Sequence, residues 1–215
     1  MRFKDAREAG LALAARLGES AGLEGSSVLA VASGGVGVAL EVSKHLRLPL
    51  DLLLLRRLLV PRGPLEPLCA ASVAGARFVD EEVEERAAVD AALGSFLASA
   101  LAEFDEHVRA CRGSRTPSDL KGRAVLLVDN GVRTGSTVLA AVRALRRVGP
   151  ARVVVAAPVA APEALALVEA AADDFVYLSA PEPFGHVGLW YEDFTRPSDE
   201  QVRSMLEQSE VPRPA

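Results

Sequence analysis

The residues best suited to chemistry lie in one run, Val125-Leu-Leu-Val-Asp-Asn-Gly-Val-Arg-Thr-Gly-Ser-Thr137. Its apolar start predicts a buried strand, and Val138, Val142, Leu145 and Val148 predict the inward face of a helix closed by Gly149-Pro150. The strand delivers polar residues at its carboxyl edge. A glycine-bearing turn then aims free backbone N–H groups and the hydroxyls of Thr134, Ser136 and Thr137 at the space before the helix. That is a phosphate cradle, and Gly135 is expected to matter because backbone meets phosphate there.

A second polar turn, Ser33-Gly-Gly-Val-Gly37, follows the apolar run Val28 to Ala32, and a further apolar run from Leu50 ends in Arg56-Arg57. Neither common nucleotide signature fits. No Gly-Lys-[Ser/Thr] occurs anywhere, which excludes the Walker loop. Gly35-x-Gly37 is followed at the third position by Leu40, and no acid ends the next strand, so the dinucleotide fingerprint fails as well.

The elements that must position these turns alternate along the chain. An amphipathic helix is predicted over Phe3 to Leu17, a strand over Val28 to Ala32, a helix over Val38 to Leu46 and a strand over Leu50 to Arg56. Pro61, Gly63, Pro64 and Pro67 mark an irregular excursion before a short strand or hairpin around Ala70 to Val79. One long helix is predicted from Asp80 to Cys111, with Val83, Ala87, Ala91, Phe96, Leu97, Ala100, Leu101, Phe104 and Val108 as its stripe. Strands over Arg152 to Ala157 and Phe175 to Leu178 flank a helix over Pro162 to Ala171. The order gives an α/β fold with a doubly wound, mainly parallel sheet flanked by helices.

With 215 residues, half of them hydrophobic, the chain suits a single domain with one sizeable core. A net charge of -5 argues against nucleic-acid binding, so any phosphate site must be local. No apolar run approaches the roughly 20 residues that span a bilayer, and no secretory leader pattern is seen, so a cytoplasmic protein without membrane attachment is expected. Cys69 and Cys111 are too few for a disulfide framework or a four-ligand zinc site and read as inert. His45 and His107 read as solvent-facing helix residues, and Phe184, His186, Trp190, Tyr191 and Phe194 as an aromatic tail packed on the body.

Val-Asp-Asn-Gly-Val-Arg-Thr-Gly-Ser-Thr resembles the phosphoribosyl-pyrophosphate loop of type I phosphoribosyltransferases, whose pattern is apolar residues, two acids, three variable residues, Thr-Gly and a small hydroxyl residue. The resemblance covers a core of about 27–178, with a small hood from 1–25 and 180–215. It implies a glycosyltransferase that binds 5-phosphoribosyl-1-pyrophosphate (PRPP) and moves its phosphoribosyl group to a nitrogen acceptor, such as a nucleobase, releasing pyrophosphate. Thr134, Gly135, Ser136 and Thr137 would hold the 5-phosphate. Asp129 would hold the ribose diol, and Ser33, Gly34 and Gly35, assisted by Arg56 and Arg57, the pyrophosphate.

The resemblance further implies a Mg2+ that travels on PRPP and meets Asp129 only indirectly. Asn130, the chain's only asparagine, replaces the second acid, and Arg133 stands where purine-using relatives carry an aspartate. Arg133 stays protonated and cannot act as a base, which disfavours a hypoxanthine- or guanine-type reaction. The catalytic set is therefore Asp129, Asn130 and Arg133. A non-catalytic PRPP-sensing or regulatory protein of the same fold is the alternative, a homodimer is compatible with either, and a flap over the ligand is expected within Ala110 to Lys121.

Overall fold

Runs such as Val28–Val31 and Val153–Ala157 have no polar alternation, so each must be covered on both faces. The computed structural model, which describes residues 1–19, 23–58, 68–79 and 81–209, does this with helices around one seven-stranded sheet. The chain runs α1 (Ala6–Gly18), β1 (Ser27–Ala32), α2 (Val36–Leu46), β2 (Leu50–Leu58), β3 (Leu68–Val73) and β4 (Ala76–Val79). It continues through α3 (Glu81–Val89), α4 (Ala91–Arg112), β5 (Ala124–Val128), α5 (Ser136–Val148), β6 (Arg152–Val159), α6 (Pro162–Ala171), β7 (Asp174–Ser179) and α7 (Asp199–Glu207).

The strand order is β4-β3-β2-β1-β5-β6-β7, with β3 antiparallel to both its neighbours and every other adjacent pair parallel. The chain leaves β1 toward β2 on one side and β5 toward β6 on the other. That reversal puts a crevice at the carboxyl ends of the neighbouring strands β1 and β5, paired in register Val28 to Leu126 and Ala30 to Val128. α2 packs on β1, β2 and α1, whereas α5 lies against β2, β3 and β6. Right-handed crossovers running in opposite directions put those two helices on opposite faces.

Three expectations change. The single helix over Asp80 to Cys111 is two helices, because Asp90 adopts an extended conformation and its carboxylate accepts from the Ala92 and Leu93 amides at 3.0 Å, capping a new start. Ala91 and Phe96 consequently turn outward, while Leu93, Leu97, Ala100 and Phe104 are buried. Phe3 is not helical: Asp5 caps α1, and Phe3 pairs with Tyr191, its amide donating to the Trp190 carbonyl at 2.8 Å. The irregular excursion through Pro61 to Pro67 lies outside the described residues.

The third change concerns the loop between α4 and β5. A parallel strand is entered from its amino edge, so the connection into β5 lies across the sheet from the crevice. Asp51, near the start of β2, holds it there: its carboxylate accepts from Arg112 at 2.5 Å and from the Ser118 amide at 2.7 Å. Leu120 is fully buried. The Ala110 to Lys121 segment is thus anchored away from the ligand edge, at odds with a covering flap. No helix among the described residues is long and apolar enough to cross a membrane.

Asp51 and Arg112 are both buried, so truncating one leaves an uncompensated charge. Asp51→Ala is expected to lower stability by about 3–5 kcal/mol in urea denaturation, and the double change Asp51→Leu with Arg112→Met to recover part of it. Recovery stays partial because the Ser118 amide keeps no acceptor.

Candidate active site

The turns after β1 and β5 meet over the crevice. A Cβ on Gly35 would come within 2.7 Å of the Val128 carbonyl, 2.8 Å of the Val31 carbonyl and 3.0 Å of Asp129 Cα. All three are backbone atoms, so no side chain fits between the loops. A Cβ on Gly34 would lie 2.7 Å from the Asn130 amide nitrogen, so Ser33–Gly35 rests directly on the Asp129–Asn130 step.

Asp129 follows the last residue of β5 and stays tied to the sheet, its amide donating to the Ala156 carbonyl at 3.1 Å. Its carboxylate accepts from the Asn130 amide at 2.8 Å. Burial pushes the Asp129 carboxyl up to about 7, against the Asn130 amide and the Arg196 charge, which pull it down. An arriving positive charge would offset the lost hydration of a carboxyl so placed.

The rest of the turn is fixed from outside. The Tyr191 hydroxyl donates to the Asn130 carbonyl at 2.6 Å, and Val132 forms a bridge with Ala160. Gly131 is pressed against Val187 and Val159, where a Cβ would approach to 2.6 and 3.0 Å. Thr134 Oγ1 and Ser136 Oγ lie 3.0 Å apart, and the Ser136 amide faces Thr134 Oγ1 at 3.4 Å. The amides of Thr134 and Gly135 have no acceptor among the described residues.

Gly135 caps α5 with φ +77°, a conformation that L side chains rarely adopt. A Cβ there would point at Leu167 and Val168 of α6, at 3.3 and 3.5 Å. The glycine is therefore required by backbone conformation; the phosphate-side crowding expected from the sequence is not what its Cβ would meet. Neither α2 nor α5 has a side-chain cap or an acid in its first turn, so both positive helix ends open on the cleft.

The cleft, about 540 Å³, brings together Ser33, Gly34, Asp129, Asn130, Arg133, Thr134, Gly135 and Thr137. Ser136 stands at its edge through the contact with Thr134. Arg56 is not brought in: it pairs with Glu103 of α4 at 2.5 Å. Arg57 continues the β2 ladder opposite Cys69, but its side chain lies outside the described residues.

Sequence reasoning missed Arg196, and His107 was read as facing solvent, yet both line the cleft. The aromatic tail divides. Phe184 and Tyr191 are buried, as packing on the body requires, whereas His186 and Phe194 face the cleft. A topological signal existed: β7 is parallel to β5 and ends at the same edge, so whatever follows it begins beside the crevice. Arg133 and Arg196 make the cleft locally cationic in an acidic protein.

Residues 6–188 match the family model of the phosphoribosyl transferase domain. The chain belongs to that family. A Mycobacterium tuberculosis protein provisionally named a phosphoribosyl transferase, known from strains CDC 1551 and H37Rv, is 35% identical over 208 residues, 96% of this chain. The chain spans 47% of that relative's length. The crystal structure of TT1426 from Thermus thermophilus is 39% identical, with a TM-score of 0.77 over 97% of this chain and 99% of that one. A Neisseria gonorrhoeae protein solved with bound ppGpp shares the fold alone, at 14% identity and TM-score 0.52 over 97% of this chain and 98% of that one.

The raised Asp129 carboxyl gives a signed expectation. As pH climbs from the ordinary aspartate range to about 7, the unfolded chain ionises first, so keeping Asp129 in its poorly hydrated place costs stability above that window. Asp129→Asn is expected to raise folding stability by roughly 1–3 kcal/mol at pH 8 and to change it little below pH 4. Denaturant melts at the two pH values check it.

Proposed function

We propose that the chain binds PRPP in this cleft and transfers its phosphoribosyl group to a nitrogen acceptor, releasing pyrophosphate. One observation carries the reading: two helix starts with glycine at the cap, those of α2 and α5, converge on either side of a single half-buried carboxyl, Asp129. Two anionic ends with a carbon that becomes cationic between them match that arrangement.

The 5-phosphate would lie on the amides and hydroxyls of Thr134 to Thr137, and the pyrophosphate against Ser33, Gly34 and Gly35. Asp129 would hold the ribose diol and oppose the positive charge that develops at the anomeric carbon as the pyrophosphate bond breaks. Asn130 would hold one ribose hydroxyl without adding charge. Arg133 and Arg196, with Phe194, would border the acceptor, and the terminal segments joined by Phe3 and Tyr191 would form the hood on that side.

Mg2+ fits these residues in one way. It favours one or two carboxylates together with phosphate oxygens and water, and Asp129 is the one carboxyl group among the described residues that line the cleft. Bound with PRPP, the ion would neutralise pyrophosphate oxygens, and Asp129 would meet it through the ligand or a water. The proposed partners are thus two small molecules, in a cytoplasmic protein.

The direct test is a thermal-shift and pyrophosphate-release screen with PRPP, Mg2+ and a panel of nucleobases and simple amines. Saturation at about 100 times Kd should add about 2.7 kcal/mol of stability. No shift at millimolar PRPP would overturn the reading. Asn130→Asp should strengthen Mg2+-dependent PRPP binding roughly fivefold, because a charged acceptor contributes about 1 kcal/mol more than a neutral one. Unchanged affinity and unchanged pyrophosphate release in a folded variant would remove Asn130 from the ligand set.

A further inference from the structure

Outside the phosphate-facing loops, groups capable of ligation gather at one other place among the described residues. His107 and Cys111 stand four residues apart on α4, so both side chains rise from one face of the helix. α7 begins against that face. Its first residue is Asp199, held by a capping box in which Ser198 accepts from the Gln201 amide and Gln201 accepts from the Ser198 amide. A ring nitrogen of His107, the Cys111 sulfur and a carboxylate oxygen of Asp199 all lie within 4.8 Å of one another.

We propose that His107, Cys111 and Asp199 form a zinc site that clamps α7 onto α4. One nitrogen, one sulfur and one carboxylate oxygen suit a borderline-soft ion; Mg2+ and Ca2+ prefer oxygen alone. Ligands at about 2.0–2.2 Å in a tetrahedron stand roughly 3.3 Å apart along an N···O edge. His107 Nε2 and Asp199 Oδ1 are 3.1 Å apart before any ion enters. Cys111 is buried, whereas His107 and Asp199 are half-exposed, so the fourth position opens outward and takes water.

Charge balance favours the same ion. A divalent cation with one thiolate and one carboxylate is neutral, which removes the penalty of burying net charge. Metal binding would displace the Cys111 thiol proton to solvent and leave the imidazole proton on Nδ1, freeing Nε2 for the ion.

The site has a mechanical consequence. α7 packs on both α2 and α4 and directly follows the segment that carries Phe194 and Arg196 into the cleft, while His107 itself borders the cleft. Zinc would therefore fix the C-terminal segment over the crevice.

The test uses the full chain stripped with chelator and equilibrated with zinc alone, without PRPP or Mg2+, so its outcome is separate from that of the proposed transferase reaction. One zinc per chain at micromolar free metal is expected, with a raised Tm. Cobalt substitution should give a thiolate-to-metal charge-transfer absorption. Cys111→Ser should abolish that absorption, Cys69→Ser should retain it, and His107→Gln or Asp199→Asn should weaken binding at least about 10-fold. Should Cys111→Ser not fold, the half-exposed His107 and Asp199 variants carry the affinity test. Sub-stoichiometric zinc, affinity unchanged in those variants, or an absorption that follows Cys69 would overturn the proposal and leave an ion-paired helix contact.

Discussion

The approach of two loops over two neighbouring strands governs the rest of the site. β1 and β5 are adjacent in a parallel ladder, so their carboxyl ends are separated by roughly 4.8 Å and both chains must turn away at the same place. Gly35 lets them do so, with the Val31 and Val128 carbonyls closing on the place its side chain would take. The same closeness half-buries Asp129, and the lost hydration raises its carboxyl to about 7. Lifting one loop would displace the start of α2 and expose Asp129 to water together.

Helix capping follows the same division. α1, α4 and α7 start away from the Ser33–Gly35 and Asp129–Gly135 turns, and each is capped by a side chain, from Asp5, Asp90 and Ser198. α2 and α5 start at the crevice, and glycine occupies the cap of each. A side-chain oxygen there would satisfy the amides internally, and a carboxylate would also cancel the positive helix end. Arg143, Arg146 and Arg147 stand far along α5, with Arg146 paired to Asp173 at 2.9 Å and Arg147 to Glu81, so the helix's basic end lies away from the cleft.

What was legible in the sequence is what short-range chemistry determines. The strand into Asp129, the turn through Thr137 and the Ser33–Gly35 turn follow from apolar runs broken by glycine, and the sheet places them together because their strands are neighbours. Asp90 shows the converse: apolar spacing carried the predicted helix through it, but one carboxylate accepting from two amides outweighs a periodicity that needs no break. Phe3 could equally belong to a helix stripe until Tyr191, far along the chain, offers a strand-like partner. Arg56 and His107 were misplaced for a similar reason, since their orientation depends on Glu103 and Asp199, contacts made only in the folded chain.

These contacts bear on where charge lies around the cleft of an acidic protein. Arg56 is held by Glu103, and the turn after β1 presents backbone amides and the α2 dipole to the cleft. Those are fixed partial charges with a reach of one helical turn, and they act only on a ligand already seated. Two arginine side chains, Arg133 and Arg196, also line the cleft, and Arg196 is close enough to draw down the Asp129 carboxyl. For the proposed ligand, attraction and positioning would be divided between different groups: arginine side chains would gather the anion, and backbone at Gly35 and Gly135 would fix where its phosphates stop.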